Sequence, residues 1–496
     1  MSQKIQWVGP APPLRTGIAA YSADFFRAVD GSWNIDVMLE KGSVSGNYDS
    51  IRTTNTLDPD VPTIIHIGNS EFHDRAYSAA HEISAVVVLH DVVLHHARAA
   101  RMLRLGQSRE YWRELQREYG AAGVDAGRAL LAGRDLHDVE AFPLCESFVR
   151  NARVAVVHSE YAAQSILSRV PDANVRVVPM GIPIPAQIPR SEARNVLGIS
   201  PSSFVIASVT HVNPNKRLPV VLRALRRLVA RDSDVMLILA GTGTDDDALS
   251  VEIRMMGLQD NVRQLGYVDD TLARLVAASA DACVNLRYPT TGETSASLLR
   301  LLGAGLPVLV SDAGTSGELP DGVGLKIPVD DFEVEMVTEV LWELAANCDF
   351  RTEAGKAARD FIVSHHSMVN EVDGYRAVLR EAYEIYLPLL EEIPYEISPP
   401  LVANLEHVRR PGIVAFVADA ISGLGLSDLD AAVELAGTAI AELRLDGYDA
   451  RGPVRPRERL MARIACRKCG GMMSADGNCR ACGNSLDTRG PVVDLR

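Results

Sequence analysis

Residues 285–320, NLRYPTTGETSASLLRLLGAGLPVLVSDAGTSGELP, read as strand, loop, helix, tight turn, strand and loop. The loop delivers Glu293, Thr294 and Ser295 to the start of the helix, where Ser and Thr cap well and free N–H groups face outward. Such a helix end suits a diphosphate. An acid there would repel the anion, so Glu293 fits better beside sugar hydroxyls next to the phosphate. Its alternative is an acid that only offsets the helix dipole. Arg287 lies in the same loop. A second segment, FVIASVTHVNPNKRLPVVLRALRRL at 204–228, is strand, loop and helix, with Lys216 in the loop. Ligands of open parallel sheets gather at the carboxyl ends of strands. Lys216 can therefore neutralise charge on a leaving diphosphate, where a transition state gains most. Its alternative is a solvated surface lysine.

Other strand ends carry weaker signals. Gly241 and Gly243 of LAGTGTDDD permit close backbone approach, although a lone G-x-G is often only a turn. Tyr267 and Val268 lie in LGYVDD at 265–270, and His211 opens the Lys216 loop. Gly17, in GPAPPLRTGIAAYS, follows the first strand and leaves room for a substrate. His90 and Asp91 end the strand AVVVLHD, which places His90 toward a cleft; His95 and His96 fall at helix-like positions and are not catalytic. No nucleophile elbow and no G-x-x-x-x-G-K-[ST] phosphate loop is present.

These loops need rigid strands behind them. Short apolar runs alternate with amphipathic helical patterns through three-quarters of the 496 residues. Runs so apolar are covered on both faces, so the pattern predicts two doubly wound, Rossmann-like α/β domains facing a cleft. The expected boundaries are 1–185, with a helical insertion at 98–150, and 186–365 after the Pro-rich GIPIPAQIP. A long closing helix at 366–388, a small helical module at 389–460 and a tail at 461–496 follow. In the tail, Cys466/Cys469 and Cys479/Cys482 form two C-x-x-C-G pairs, enough for one closed tetrahedral structural Zn²⁺. Around them Arg451, Arg455, Arg457, Arg459, Arg463, Arg467, Lys468 and Arg480 face only Glu458 and Asp476. This basic tail suits an anionic membrane surface or a protein partner, or is simply solvated. The net charge of −14 disfavours nucleic acid as a ligand of the body. No run reaches the ~20 apolar residues of a membrane helix, and no signal-peptide h-region opens the chain. The expectation is a cytoplasmic protein, peripheral at the inner face of the membrane if the tail docks there.

Taken together, TGIAAYS, VLHD, HSEY at 158–161, VVPMGIP, the loop ending in NKR, AGTGTDDD, LGYVDD and GETSASLLRLLGAGLPVLVSDAG resemble the retaining family 4 glycosyltransferases of GT-B fold, over about residues 4–388. The resemblance implies a hexosyltransferase-type enzyme of cell-envelope glycan biosynthesis. It would use a nucleotide-diphosphate sugar as donor in the second domain and a glycan or lipid-linked acceptor in the first. It implies that Lys216 binds the diphosphate, Glu293 contacts the donor sugar and His90 borders the reacting centre. Gly17 would approach the donor phosphate as the cleft closes. It also implies front-face substitution with retention, without a protein nucleophile or a catalytic metal. Two positions depart from the family: His211 replaces an arginine, and Arg300 replaces the second glutamate, which in the family holds the ribose. These departures support an alternative, a catalytically weakened scaffold acting through its zinc tail, although Arg287 can restore positive charge near the phosphates.

Overall fold

The computed structural model describes residues 4–132, 141–232, 234–243 and 246–387. They build two parallel sheets. The first contains β1 (Lys4–Val8), β2 (Asn34–Met38), β3 (Ile51–Thr53), β4 (Thr63–Ile67), β5 (Val86–Leu89), β6 (Val154–Val157) and β7 (Val175–Val177). The second contains β8 (Phe204–Val209), β9 (Val235–Ala240), β10 (Val262–Gly266), β11 (Ala282–Asn285), β12 (Val308–Ser311) and β13 (Leu325–Ile327). Strand orders are β3-β2-β1-β4-β5-β6-β7 and β10-β9-β8-β11-β12-β13. Every neighbouring pair runs parallel.

The apolar runs are continuous because the central strands feed two cores. In β8, Val205 and Ala207 face the core that holds Leu298 and Leu302, while Phe204 and Ile206 face the one that holds Leu222 and Leu341. Strand order reverses between β1 and β4 and between β8 and β11. A crevice opens at the carboxyl ends of strands at such switch points. The Gly17 loop follows β1, the Lys216 loop follows β8 and the Glu293 loop follows β11. Topology alone thus brings the candidate loops to two facing crevices.

The 98–150 stretch is mostly helical. Helices His95–Arg104 and Ser108–Leu131 pack around Tyr111, Leu115 and Leu144, and Gly120 breaks the second at φ 62°. A buried Arg98–Glu114 ion pair of 2.6 Å joins them.

The closing helix differs from expectation in extent and partner. It spans Met368–Tyr383, with Ser367 as N-cap accepting from Asn370 N, and is separate from the helix Cys348–His365. Glu384 in the left-handed region ends it. It closes onto the first domain: Tyr375 lies edge-on to Phe25, and its hydroxyl is 2.7 Å from that of Tyr21. Val372, Tyr375 and Leu379 form the apolar stripe that selects this partner. The chain crosses between domains twice, side by side, since Ile182 N donates to His366 O at 2.9 Å.

No helix among the described residues is long and apolar enough to cross a membrane. The expected module at 389–460 and the tail with Cys466, Cys469, Cys479 and Cys482 lie outside the described residues.

Candidate functional site

The second-domain half of the site is a charged knot between two loops. Lys216 ends the turn Pro214–Lys216 after β8. Burial, then Arg287, push its ammonium down to about 7, against the pull of Glu293 and Asp91. The neighbouring Arg217 turns away to pair with Glu333. Arg287, just past β11, donates Nη1 to Glu293 Oε1 at 2.8 Å and Nη2 to Ser295 Oγ at 2.7 Å. Glu293 Oε2 accepts from Thr290 Oγ1, Thr291 N and Thr291 Oγ1 at 3.0, 2.9 and 2.9 Å. Burial raises the pKa of Glu293, but Arg287 and Lys216 outweigh it and hold the carboxylate at about 2. Ser295 caps the helix Ala296–Gly303 by accepting from Leu298 N, with half-buried Thr294 just before it. A cation with no acidic partner at hydrogen-bond distance among the described residues thus stands beside a fixed carboxylate and a helix start. The carboxylate can accept from hydroxyls, and the lysine and helix end can take an anion.

The first-domain half comes down on the same loop. Val92 N and Val93 N donate to Thr291 O at 2.8 and 3.0 Å, and Thr291 Oγ1 lies 2.7 Å from Asp91 Oδ1. Gly292 makes this approach possible: it sits at φ 80°, and a Cβ there would lie 3.0 Å from Val92 Cγ2. His90 is buried, 5% exposed, with Nε2 3.0 Å from His66 Nδ1. Tyr21 lies edge-on to His90 at 4.8 Å, and Trp7 stacks on His66 at 3.8 Å. Burial above all, then the neighbouring His158, His66 and His73, keep His90 neutral well below the usual range. Gly17 begins the helix Gly17–Val29, is exposed, and its Cβ position is open.

The remaining candidates make other contacts. A Cβ on Gly241 or Gly243 would lie 1.8 or 1.7 Å from the carbonyl oxygen of Thr210 or Val212. The backbone these glycines admit is therefore that of the Lys216 loop. His211 is exposed. Tyr267 is exposed, with the Arg15 guanidinium 5.5 Å over its ring, and Val268 packs on the core. Arg300 reaches across to Asp24 at 2.6 Å, beside a cleft of about 1160 Å³ lined by the Gly17–Val29 helix, the Pro-rich linker and helices Asp270–Ser279 and Ala296–Gly303. Sequence reasoning missed Thr291, His66 and the contact role of Asp91. The paired threonines before Gly292 were the only signal, and turn residues rarely stand out.

Residues 203–346 match the family model described as "Glycosyl transferases group 1". The phosphatidyl-myo-inositol mannosyltransferase of Mycolicibacterium smegmatis is 35% identical over 123 residues, 24% of this chain and 30% of that protein. The chain spans less than half the length of the curated relatives it matches. Sucrose-phosphate synthase from Thermosynechococcus elongatus aligns at TM-score 0.55 and 16% identity, covering 76% of this chain and 99% of that one. HepE from Anabaena, solved with UDP-glucose, aligns at 0.52 and 15%, covering 76% and 99%. The two-sheet body has the GT-B fold, and its second domain, through residues 203–346, is matched by the glycosyl transferases group 1.

Proposed function

We propose that this chain is a retaining glycosyltransferase that takes a sugar from a nucleotide-diphosphate donor held in the second domain. The observation that carries the proposal is the pairing of Lys216, without an acidic partner at hydrogen-bond distance among the described residues, with Glu293, fixed by Arg287 and the two threonines. In this reading the diphosphate lies between Lys216 and the helix start at Ser295. Glu293 takes the sugar hydroxyls, and Arg287 holds Glu293 in place. Gly17 leaves room on the first-domain side for the phosphates. His90, neutral and backed by His66, borders the reacting carbon without acting as a charged acid. His211, Gly241, Gly243, Tyr267, Val268 and Thr294 form the rim around the nucleotide. Positive charge from Lys216 and Arg287, with the helix dipole, does what a cation does in metal-dependent sites. The substitution proceeds on the face the leaving group vacates, so the anomeric configuration is retained.

The matched mannosyltransferase acts on a phosphatidylinositol by its name, and this supports a lipid-linked or glycan acceptor met in the first domain. We extend the proposal to the tail, where the four cysteines bind structural zinc and the basic residues dock the enzyme at the inner membrane face. Incubation with UDP-, GDP- and ADP-sugars should release one nucleoside diphosphate per sugar transferred or hydrolysed, with the anomer retained. Release with inversion, or none from any donor, would overturn the reading.

A further inference from the structure

Two carboxyl groups from opposite domains meet at one hydroxyl. Thr291 Oγ1 lies 2.7 Å from Asp91 Oδ1 and 2.9 Å from Glu293 Oε2. A threonine hydroxyl has a single hydrogen to donate. If both carboxyls were ionised, one would face the hydroxyl's lone pairs with no proton between them, in a contact closed off from most water. A proton on one carboxyl removes this conflict: the acid donates to Thr291 Oγ1, and Thr291 donates to the other.

Partners decide which carboxyl carries it. Glu293 is bound by the Arg287 guanidinium at 2.8 Å and also accepts from Thr290 Oγ1 and Thr291 N. Apart from Thr291 Oγ1, Asp91 has among the described residues only Asn69 N as a donor, at 2.8 Å on its other oxygen, and no cation at hydrogen-bond distance. We propose that Asp91 carries a proton when the two domains are together, and that the chain Asp91–Thr291–Glu293 makes Asp91 a positioning residue for the Glu293 loop. The positioning half rests on the donor-site reading; the protonation half does not.

The surroundings agree. Facing Asp91 are Glu293, Arg287 and Lys216 from the second domain and His73 and Tyr77 from the first. Burial, then repulsion from Glu293, lift Asp91 to about 6, against Asn69, Thr291 and Arg287. Burial pushes His73 to about 4, so it lends no charge. Once the domains part, Asp91 faces water and returns toward its ordinary value. A carboxyl raised in the joined state favours joining fully below its ordinary value and loses that effect as pH rises through about 6, a change on the order of a hundredfold in the closing equilibrium. The backbone bonds from Val92 and Val93 to Thr291 O do not titrate, so they keep the register while the proton sets the strength.

Infrared spectroscopy of the full chain reads the proton directly. Asp91→Asn should remove a protonated-carboxyl C=O band that is present at pH 5 and fades through about 6. Thr291→Val should shift that band. A second such band, from buried Glu371 raised to about 8, should be unaffected. Parent and Asp91→Asn spectra that coincide at pH 5 would overturn the protonation. The pH profile of nucleotide-sugar turnover tests positioning. The amide introduced by Asp91→Asn donates at every pH, so this variant should outpace the parent on the alkaline limb, whereas Thr291→Val should be slow throughout. Parallel alkaline limbs for parent and Asp91→Asn would overturn the positioning role. If the parent turns over no nucleotide sugar, the functional reading fails while the infrared band still decides the proton.

Discussion

Lys216 holds its proton weakly because burial and Arg287 both oppose its charge, and a bound diphosphate reverses that balance. Below about 7 the lysine is already charged, and in the proposed site donor binding should be at full strength. Above that pH, binding must take up a proton, so affinity should fall by about tenfold per pH unit until the bound-state value is reached. Titration calorimetry from pH 6 to 9 should show this slope in the parent and a flat, weaker profile in Lys216→Ala. A parent profile equally flat would remove Lys216 from the anion site. In the proposed site Glu293 takes a different part of the donor, the sugar. Glu293→Gln keeps an acceptor but loses the charge that Arg287 grips, so turnover should fall by about 10²-fold or more while binding of the bare nucleoside diphosphate changes little.

The loops work because their strands and turns leave them no freedom. At φ 138°, Gly241 packs against the Thr210 carbonyl, where a Cβ would lie at 1.8 Å. Gly241→Ala should therefore cost at least ~2 kcal/mol in thermal or urea unfolding and weaken nucleotide binding through the displaced Lys216 loop. A variant as stable as the parent would mean that this loop adapts. Such element-scale constraints were partly legible beforehand. The apolar runs gave both sheets because strands covered on two faces cannot hide their composition. That Lys216, Arg287, Glu293 and Ser295 lie together could be read beforehand because they sit at strand and helix ends, where chain order fixes location. What sequence could not supply was pairing across the cleft. Nothing local tells Asp91 that it will meet Thr291, 200 residues away. The run 366–388 begins as a separate helix at Ser367, whose side chain accepts from Asn370 N, while His366 just before it bonds across to Met180 O. Arg300, odd as a replacement for glutamate, makes sense once Asp24 stands opposite it.

At the scale of the molecule, the domains are joined by two adjacent strands of chain, at Ile182 and His366, and by backbone and side-chain contacts across the cleft. Only the cleft contacts must break for the domains to part, so the crossing at 181–189 and near 365 is where we expect bending. The Arg300–Asp24 pair is partly exposed on the arginine side, which limits its contribution to about 1 kcal/mol. Arg300→Ala should shift the donor-free chain toward open forms by roughly fivefold, visible as a larger radius of gyration in solution scattering. Scattering identical to the parent would assign closure to the other contacts across the cleft, those of Asp91–Val93 among them. The donor site itself is tested most directly by calorimetric titration of parent, Lys216→Ala and Glu293→Gln with UDP, GDP and ADP and with their sugars. At least one nucleotide should bind the parent; Lys216→Ala should weaken both its diphosphate and its sugar form, whereas Glu293→Gln should weaken only the sugar form. No binding by the parent, or both variants binding both forms as the parent does, would contradict a donor site between Lys216 and Glu293.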